Sequence, residues 1–160
     1  AAASAHRVAG HDPAVAGHRW LAGATAWCLA AIAAIDGTPP AYELLFALQL
    51  LDAVADTVPQ AEGLLEQLGR HIPAGGAMPV AGGIEGQRLH PTDFAPEPGR
   101  PVRRLFTDDD VAADLDRLAG LQQPDGGWVV DFDSFSPAAT LDWRGYATVR
   151  AVTVLQRNGA

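Results

Sequence analysis

The chain has 160 residues, of which 48% are hydrophobic and 19% charged, with a formal net charge of −8. That is enough for one domain with its own core, and too apolar for a disordered segment. The acidic balance and scattered arginines, with only Arg103 and Arg104 adjacent and no lysine, exclude a basic nucleic-acid-binding face.

Residues 1–13 are small and polar and end in Asp12-Pro13, which predicts a flexible tail. Residues 14–160 are then expected as a single helical-repeat domain. Leu21, Thr25, Cys28, Ile32 and Ile35 recur at helical spacing, so a long helix is predicted from Ala14 to Ile35, closed by Asp36-Gly37. Its uncharged run, Trp20 to Ile35, is sixteen residues, short of the roughly 20 that span a bilayer. A buried helix is therefore expected, with membrane contact limited to the surface. Thr38-Pro39-Pro40 opens a second helix, to about Val58, through Leu44, Leu45, Leu48, Leu51 and Val54. Pro59 breaks it, and Gln60 to Ile72 form a third on Leu64, Leu65, Leu68 and Ile72. Short links between such helices favour antiparallel neighbours.

Residues 73–106 carry six glycines and six prolines in 34 positions, which predicts one long Gly/Pro-rich loop anchored by Leu89 and Phe94. Loops of that length are usually functional or mobile. Thr107 starts the next helix, with Asp110 three residues on completing a capping box. Val111, Leu115, Leu118 and Leu121 or Gln122 form its apolar face. Pro124 cannot continue a helix and Asp125-Gly126-Gly127 accepts positive φ, so the chain reverses before Trp128. Val129 to Leu141 reads as loop. A last helix runs from about Trp143 to Gln156, stopped by Asn158-Gly159.

Gln122-x-x-x-Gly126-Gly127-Trp128 resembles the glutamine–tryptophan repeat of the terpene cyclase and prenyltransferase superfamily, in which helix hairpins stack into an α/α toroid. The likeness, which includes Trp143-Arg144-Gly145-Tyr146-Ala147-Thr148 as the following inner helix, covers residues 107–159, about a third of the chain. It implies an all-α fold of stacked antiparallel helix hairpins of α/α-toroid type. Gln122, Asp125, Gly126, Gly127 and Trp128 would be the structural repeat motif, with the indole stapling neighbouring layers. An internal echo agrees: Trp20-x-x-x-Ala24-Thr25 with Ile32 matches Trp143-x-x-x-Ala147-Thr148 with Leu155, and Gly37 and Gly159 follow. Repeats of helix pairs bury their faces by stacking. Five predicted helices are too few for a closed ring, which implies an incomplete ring, completed by a second chain or copy or by more of a longer protein.

The resemblance also implies an isoprenoid-handling protein, binding a polyprenyl substrate in an apolar, aromatic-lined cavity, with carbocation chemistry where active. The alternative is a non-catalytic α/α-repeat module that binds a partner or a lipid. Class II cyclases protonate an alkene with an Asp-x-Asp-Asp motif. Asp108-Asp109-Asp110 followed by Val111 departs from it, as does Asp131-Phe132-Asp133 followed by Ser134. Asp109, Asp110, Asp131 and Asp133 are nonetheless the candidate catalytic acids. Anions in a first helical turn equally serve to complement the helix dipole. Aspartates two apart can share a cation, so Asp131 and Asp133 could hold magnesium, but no full motif supports it and no cofactor is expected.

Trp143, Tyr146, Phe132 and Phe135 are the candidate substrate-binding residues, since aromatic faces stabilise carbocations by about 2 kcal/mol or more each when dry. The zinc site of protein prenyltransferases needs Asp-x-Cys, and Ala26 stands two residues before Cys28. The histidines have no ligand spacing, so no metal site is assigned. A single cysteine leaves no intrachain disulfide and fits a reducing, cytoplasmic setting.

Overall fold

A computed structural model describes every residue except Asp131 and Asp133. Among the described residues the fold is all-α, interrupted by one two-stranded ribbon. In order come α1 (Ala2–Ala9), α2 (Pro13–Ala16), α3 (Arg19–Ala33), α4 (Ala41–Val54) and α5 (Ala61–Gly69). The antiparallel ribbon of β1 (Met78–Pro79) and β2 (Arg88–Leu89) follows, then the short α6 (Pro91–Phe94) and a 3-10 turn (Pro101–Leu105). The chain closes with α7 (Asp108–Gly120) and α8 (Pro137–Asn158).

Hydrophobic burial puts α4 at the centre. Leu44, Leu48, Leu51 and Val54 are fully buried, and Leu45, Ala47 and Leu50 are buried on other sides of the same helix. A helix apolar around most of its circumference belongs inside. Each fully buried Leu or Val contributes about 1.5–3 kcal/mol, so α4 organises the larger core. Leu29 and Ile32 of α3 and Leu65 and Leu68 of α5 pack on it. A smaller core of Leu118, Trp128, Ala151 and Val154 joins α7 to α8, and Leu115 touches both cores.

Several elements differ from the expectation. The predicted tail contains α1, whose Ala2 is buried in the main core and whose His6 bonds Thr25 at 2.7 Å. A short alanine-rich helix gains its stability from such docking rather than from its own propensity. The single helix predicted over 14–35 is two. Gly17 closes α2, and His18 caps α3 by accepting the Trp20 N–H at 3.2 Å. Residues 73–106 are not a free loop. Leu89 and Phe94 are buried as expected, but so are Met78, Val102 and Phe106, and Phe94 stacks on Phe106 at 5.9 Å. Gly76 has φ +69°, and a Cβ there would lie 2.7 Å from Pro91 and 3.0 Å from Phe106, so the ribbon seats only with glycine.

The Thr107 capping box forms as read: Asp110 N–H donates to Thr107 Oγ1 at 3.1 Å, and Thr107 N–H to the Asp110 carboxylate at 3.4 Å. α8 starts at Pro137, well before Trp143, because Ser136 accepts the Ala139 N–H at 3.2 Å and Pro137 suits a first turn. Gly159, at φ 72°, ends α8 in the left-handed region, whereas Gly37 lies beyond the end of α3 without that role.

Candidate functional site

The Asp125 turn gathers its motif residues into one knot. Gln122 Nε2 donates to the Gly126 carbonyl at 3.0 Å, and Gly126 takes φ 86°. The Asp125 carboxylate accepts the Gly127 N–H at 3.2 Å and pairs with the Arg144 guanidinium of α8. That hydrogen bond from Arg144 is the main reason its pKa lies below the usual carboxylate value. A Cβ on Gly127 would come within 2.8 Å of the Arg144 guanidinium, so the end of that side chain would have to shift to admit one. Trp128 is 5% exposed, and its Nε1–H donates at 2.8 Å to the Leu118 carbonyl in the last turn of α7. Its backbone N–H donates to Thr148 Oγ1 at 3.0 Å. The motif ties α7 to α8.

Two of the four candidate acids, Asp109 and Asp110, stand at the start of α7. Asp109 faces solvent, and Asp110 is committed to the Thr107 cap. Both complement the α7 dipole, the geometry of a helix start rather than of an enclosed general acid. Asp131 and Asp133 lie outside the described residues. Phe132 meets Trp143 edge-on at 5.3 Å, and Trp143 meets Tyr146 edge-on at 5.8 Å. This cluster is on the surface: Trp143 is 43% exposed, Tyr146 61%, and Phe135 wholly. The expected aromatic-lined cavity is therefore not formed by these four residues. The buried residues of α8 are Ala151 and Val154, both in its C-terminal half.

A larger opening than the space around these aromatics lies beside α3. An apolar groove of about 800 Å³ runs beside α3, within the 300–1,000 Å³ usual for small-molecule sites. Leu21, Ala22, Ala26, Leu29, Ala30 and Ala33 of α3 form one wall, with Val58, Pro59 and Leu64 opposite. Alanine makes this space, because small side chains on α3 leave a trough where leucines would have filled it. His6 and Thr25 also line it. Thr25 Oγ1–H donates to the Leu21 carbonyl at 2.7 Å, so the 2.7 Å contact with His6 Nε2 has the imidazole as donor. Burial lowers the His6 pKa, which favours the neutral ring. Sequence reasoning missed His6, since it lay in the supposed tail. The available signal was the Thr25/Thr148 echo: each hydroxyl accepts a hydrogen bond from a segment packed on its helix.

A polar cluster holds the 73–106 segment down. Asp114, buried on α7, accepts the Thr92 N–H at 2.8 Å and pairs with Arg117 at 2.7 Å. Burial pushes its carboxyl up, but the bonds from Thr92 and Arg117 outweigh that and leave its pKa below the ordinary value. His90 Nδ1 lies 3.7 Å from Asp114. Burial, then Arg117, lowers the His90 pKa against the attraction of Asp114 and Asp93. Asp114 sits between Val111 and Leu118 on the apolar face of α7, a carboxylate at a core position that the sequence pattern could have flagged.

A second cavity, about 370 Å³, is polar and lined by Arg7, His11, Asp52, Asp56, Glu97 and Arg100 among others. Arg100 is engaged with Asp52 and Asp56, and Glu97 with Arg157, so these charges act as cross-links. Among the described residues no group of three or more His, Cys, Asp or Glu side chains is placed to hold a metal ion, and no helix is long and apolar enough to cross a membrane. No family model, curated protein or solved structure matches this chain.

Proposed function

We propose that this chain is a non-catalytic helical module, of the α/α-repeat kind, that holds an isoprenoid or similar apolar chain in the groove beside α3. The observation that carries the reading is the groove itself: a trough of about 800 Å³ walled by alanine, leucine, valine and proline. Burying apolar ligand surface there is favourable at about 25 cal/mol per Å². The exposed Asp109 and the capping Asp110 support a binding role over carbocation chemistry.

The knot at Trp128, with its glutamine and glycines, supports kinship with the glutamine–tryptophan repeat, and hence a ring of stacked hairpins of which this chain is a part. Leu141, Trp143, Tyr146 and Val149, exposed along one half of α8, are the surface on which a second chain or copy would complete such a ring.

Two measurements test the binding role. Titration with farnesyl-chain probes, followed by the fluorescence of Trp20 and Trp27 on α3, should give saturable binding. Incubation with farnesyl diphosphate, geranylgeranyl diphosphate and squalene should give no product from the wild type or from Asp109→Asn. Turnover that disappears in Asp109→Asn would restore the catalytic reading.

A further inference from the structure

We infer that the occupant of the groove is an uncharged chain ending in a hydroxyl, a long-chain alcohol, whose O–H is accepted by His6. This rests on the groove reading above and adds the chemical class of the ligand.

Charge is the first argument. The groove is lined by His6, two threonines, Gln60 and apolar residues, with no Asp, Glu or Arg. A diphosphate or carboxylate head would leave water without a counter-charge, among the most unfavourable events in protein binding. The polar pocket beyond α4 shows what a charged site in this molecule looks like, with Arg7, Arg100, Asp52 and Asp56 in its walls. The groove has none of that chemistry.

Proton accounting is the second. Thr25 has one hydroxyl proton and spends it on the Leu21 carbonyl at 2.7 Å. The 2.7 Å contact to His6 Nε2 then requires the imidazole to donate. A neutral imidazole has one N–H, so Nδ1 is left as an acceptor. Among the described residues no group donates to it. Thr57 likewise directs its hydroxyl proton to the Val54 carbonyl, at 3.2 Å, and offers only lone pairs. Histidine and both threonines thus present acceptors. Such a lining, in which Gln60 is the side chain that can also donate, is matched by a hydroxyl, which both donates and accepts, whereas an ether or an ester only accepts and a hydrocarbon does neither.

The test compares farnesol, farnesyl methyl ether and farnesyl diphosphate on the intact chain, by calorimetry or tryptophan fluorescence. Farnesol should bind about tenfold or more tightly than either of the others, a ratio equivalent to about 1.4 kcal/mol. His6→Phe should bring farnesol down to the level of the ether. His6→Gln should retain the preference, since its amide can donate to Thr25 and accept from the ligand. Wild-type protein that binds the ether or the diphosphate as tightly as farnesol would overturn the inference while leaving the groove reading intact. Failure of all three probes to bind would instead remove the groove reading. If His6→Phe does not fold, as judged by circular dichroism, the wild-type ratio of alcohol to ether decides the matter alone.

Discussion

Two helix-lined crevices of this molecule, beside Thr148 and beside Thr25, are built on matched sequence and end differently. Beside Thr148, the space between α7 and α8 is filled by the Trp128 indole, whose N–H finds the Leu118 carbonyl. Beside Thr25, the matching position on α3, His6 accounts for the hydroxyl and the neighbouring space stays open over about 800 Å³. In the first place an aromatic side chain has become a structural wedge; in the second, a run of alanines leaves the equivalent space for something else. The lesson is that the Trp128 turn marks where the fold is held together, and the missing counterpart leaves the groove in which we propose that a ligand sits.

The contrast can be broken from the filled side with the largest effect. Trp128→Ala removes a buried indole and should destabilise the chain by about 3–5 kcal/mol, with α8 amides losing hydrogen-exchange protection first. Equal loss of protection in α4 and α8 would mean that the two cores are not separable. Asp114→Ala comes next, at about 2–3 kcal/mol by urea unfolding. That is below the roughly 3–5 kcal/mol of a fully buried pair, because the Arg117 side chain is 37% exposed and screened.

Acid should reach the same elements in two stages. The folded pKa values of His6 and His90 lie below their ordinary 6.5, so the unfolded chain takes up protons first and stability falls as the pH drops from about that value. Asp114 has a folded pKa below its ordinary 3.8; its contribution is present above that value and is lost as the pH falls through the folded one. Urea midpoints from neutral to strongly acid pH should decline in that order, and Asp114→Ala should have a smaller second stage, with Asp125 supplying part of what is left. The smallest stability effect belongs to the open side: Ala26→Phe, on an exposed wall of the groove, should change stability by no more than about 0.5 kcal/mol.

Local chemistry was legible in the sequence, and long-range packing was not. The Thr107 box and the Asp125 turn were readable because their partners lie within a few residues. The start of α8 was equally local, since Ser136-Pro137 is a strong opening signal, yet Trp143 and the echo drew the reading past it. Nothing in Ala2–Ala9 announces that it docks on the main core, because the surface it covers belongs to α4 and α3. The groove was invisible for a related reason: its alanines and His6 come from separate segments, and alanine carries little pattern of its own. The aromatic cluster at Trp143 failed as a cavity because spacing on one helix says which residues are neighbours, not whether a second element covers them. Asp114 is a long-range feature with a local clue, a carboxylate on the apolar face of α7.

The most direct test of the account is farnesol binding to the wild type and to Ala26→Phe, two proteins expected to be equally stable. The account predicts saturable binding by the wild type and its loss in the variant, with the α7–α8 knot unchanged. Undiminished binding by Ala26→Phe would contradict it, since the chain would then be held somewhere other than the trough beside α3.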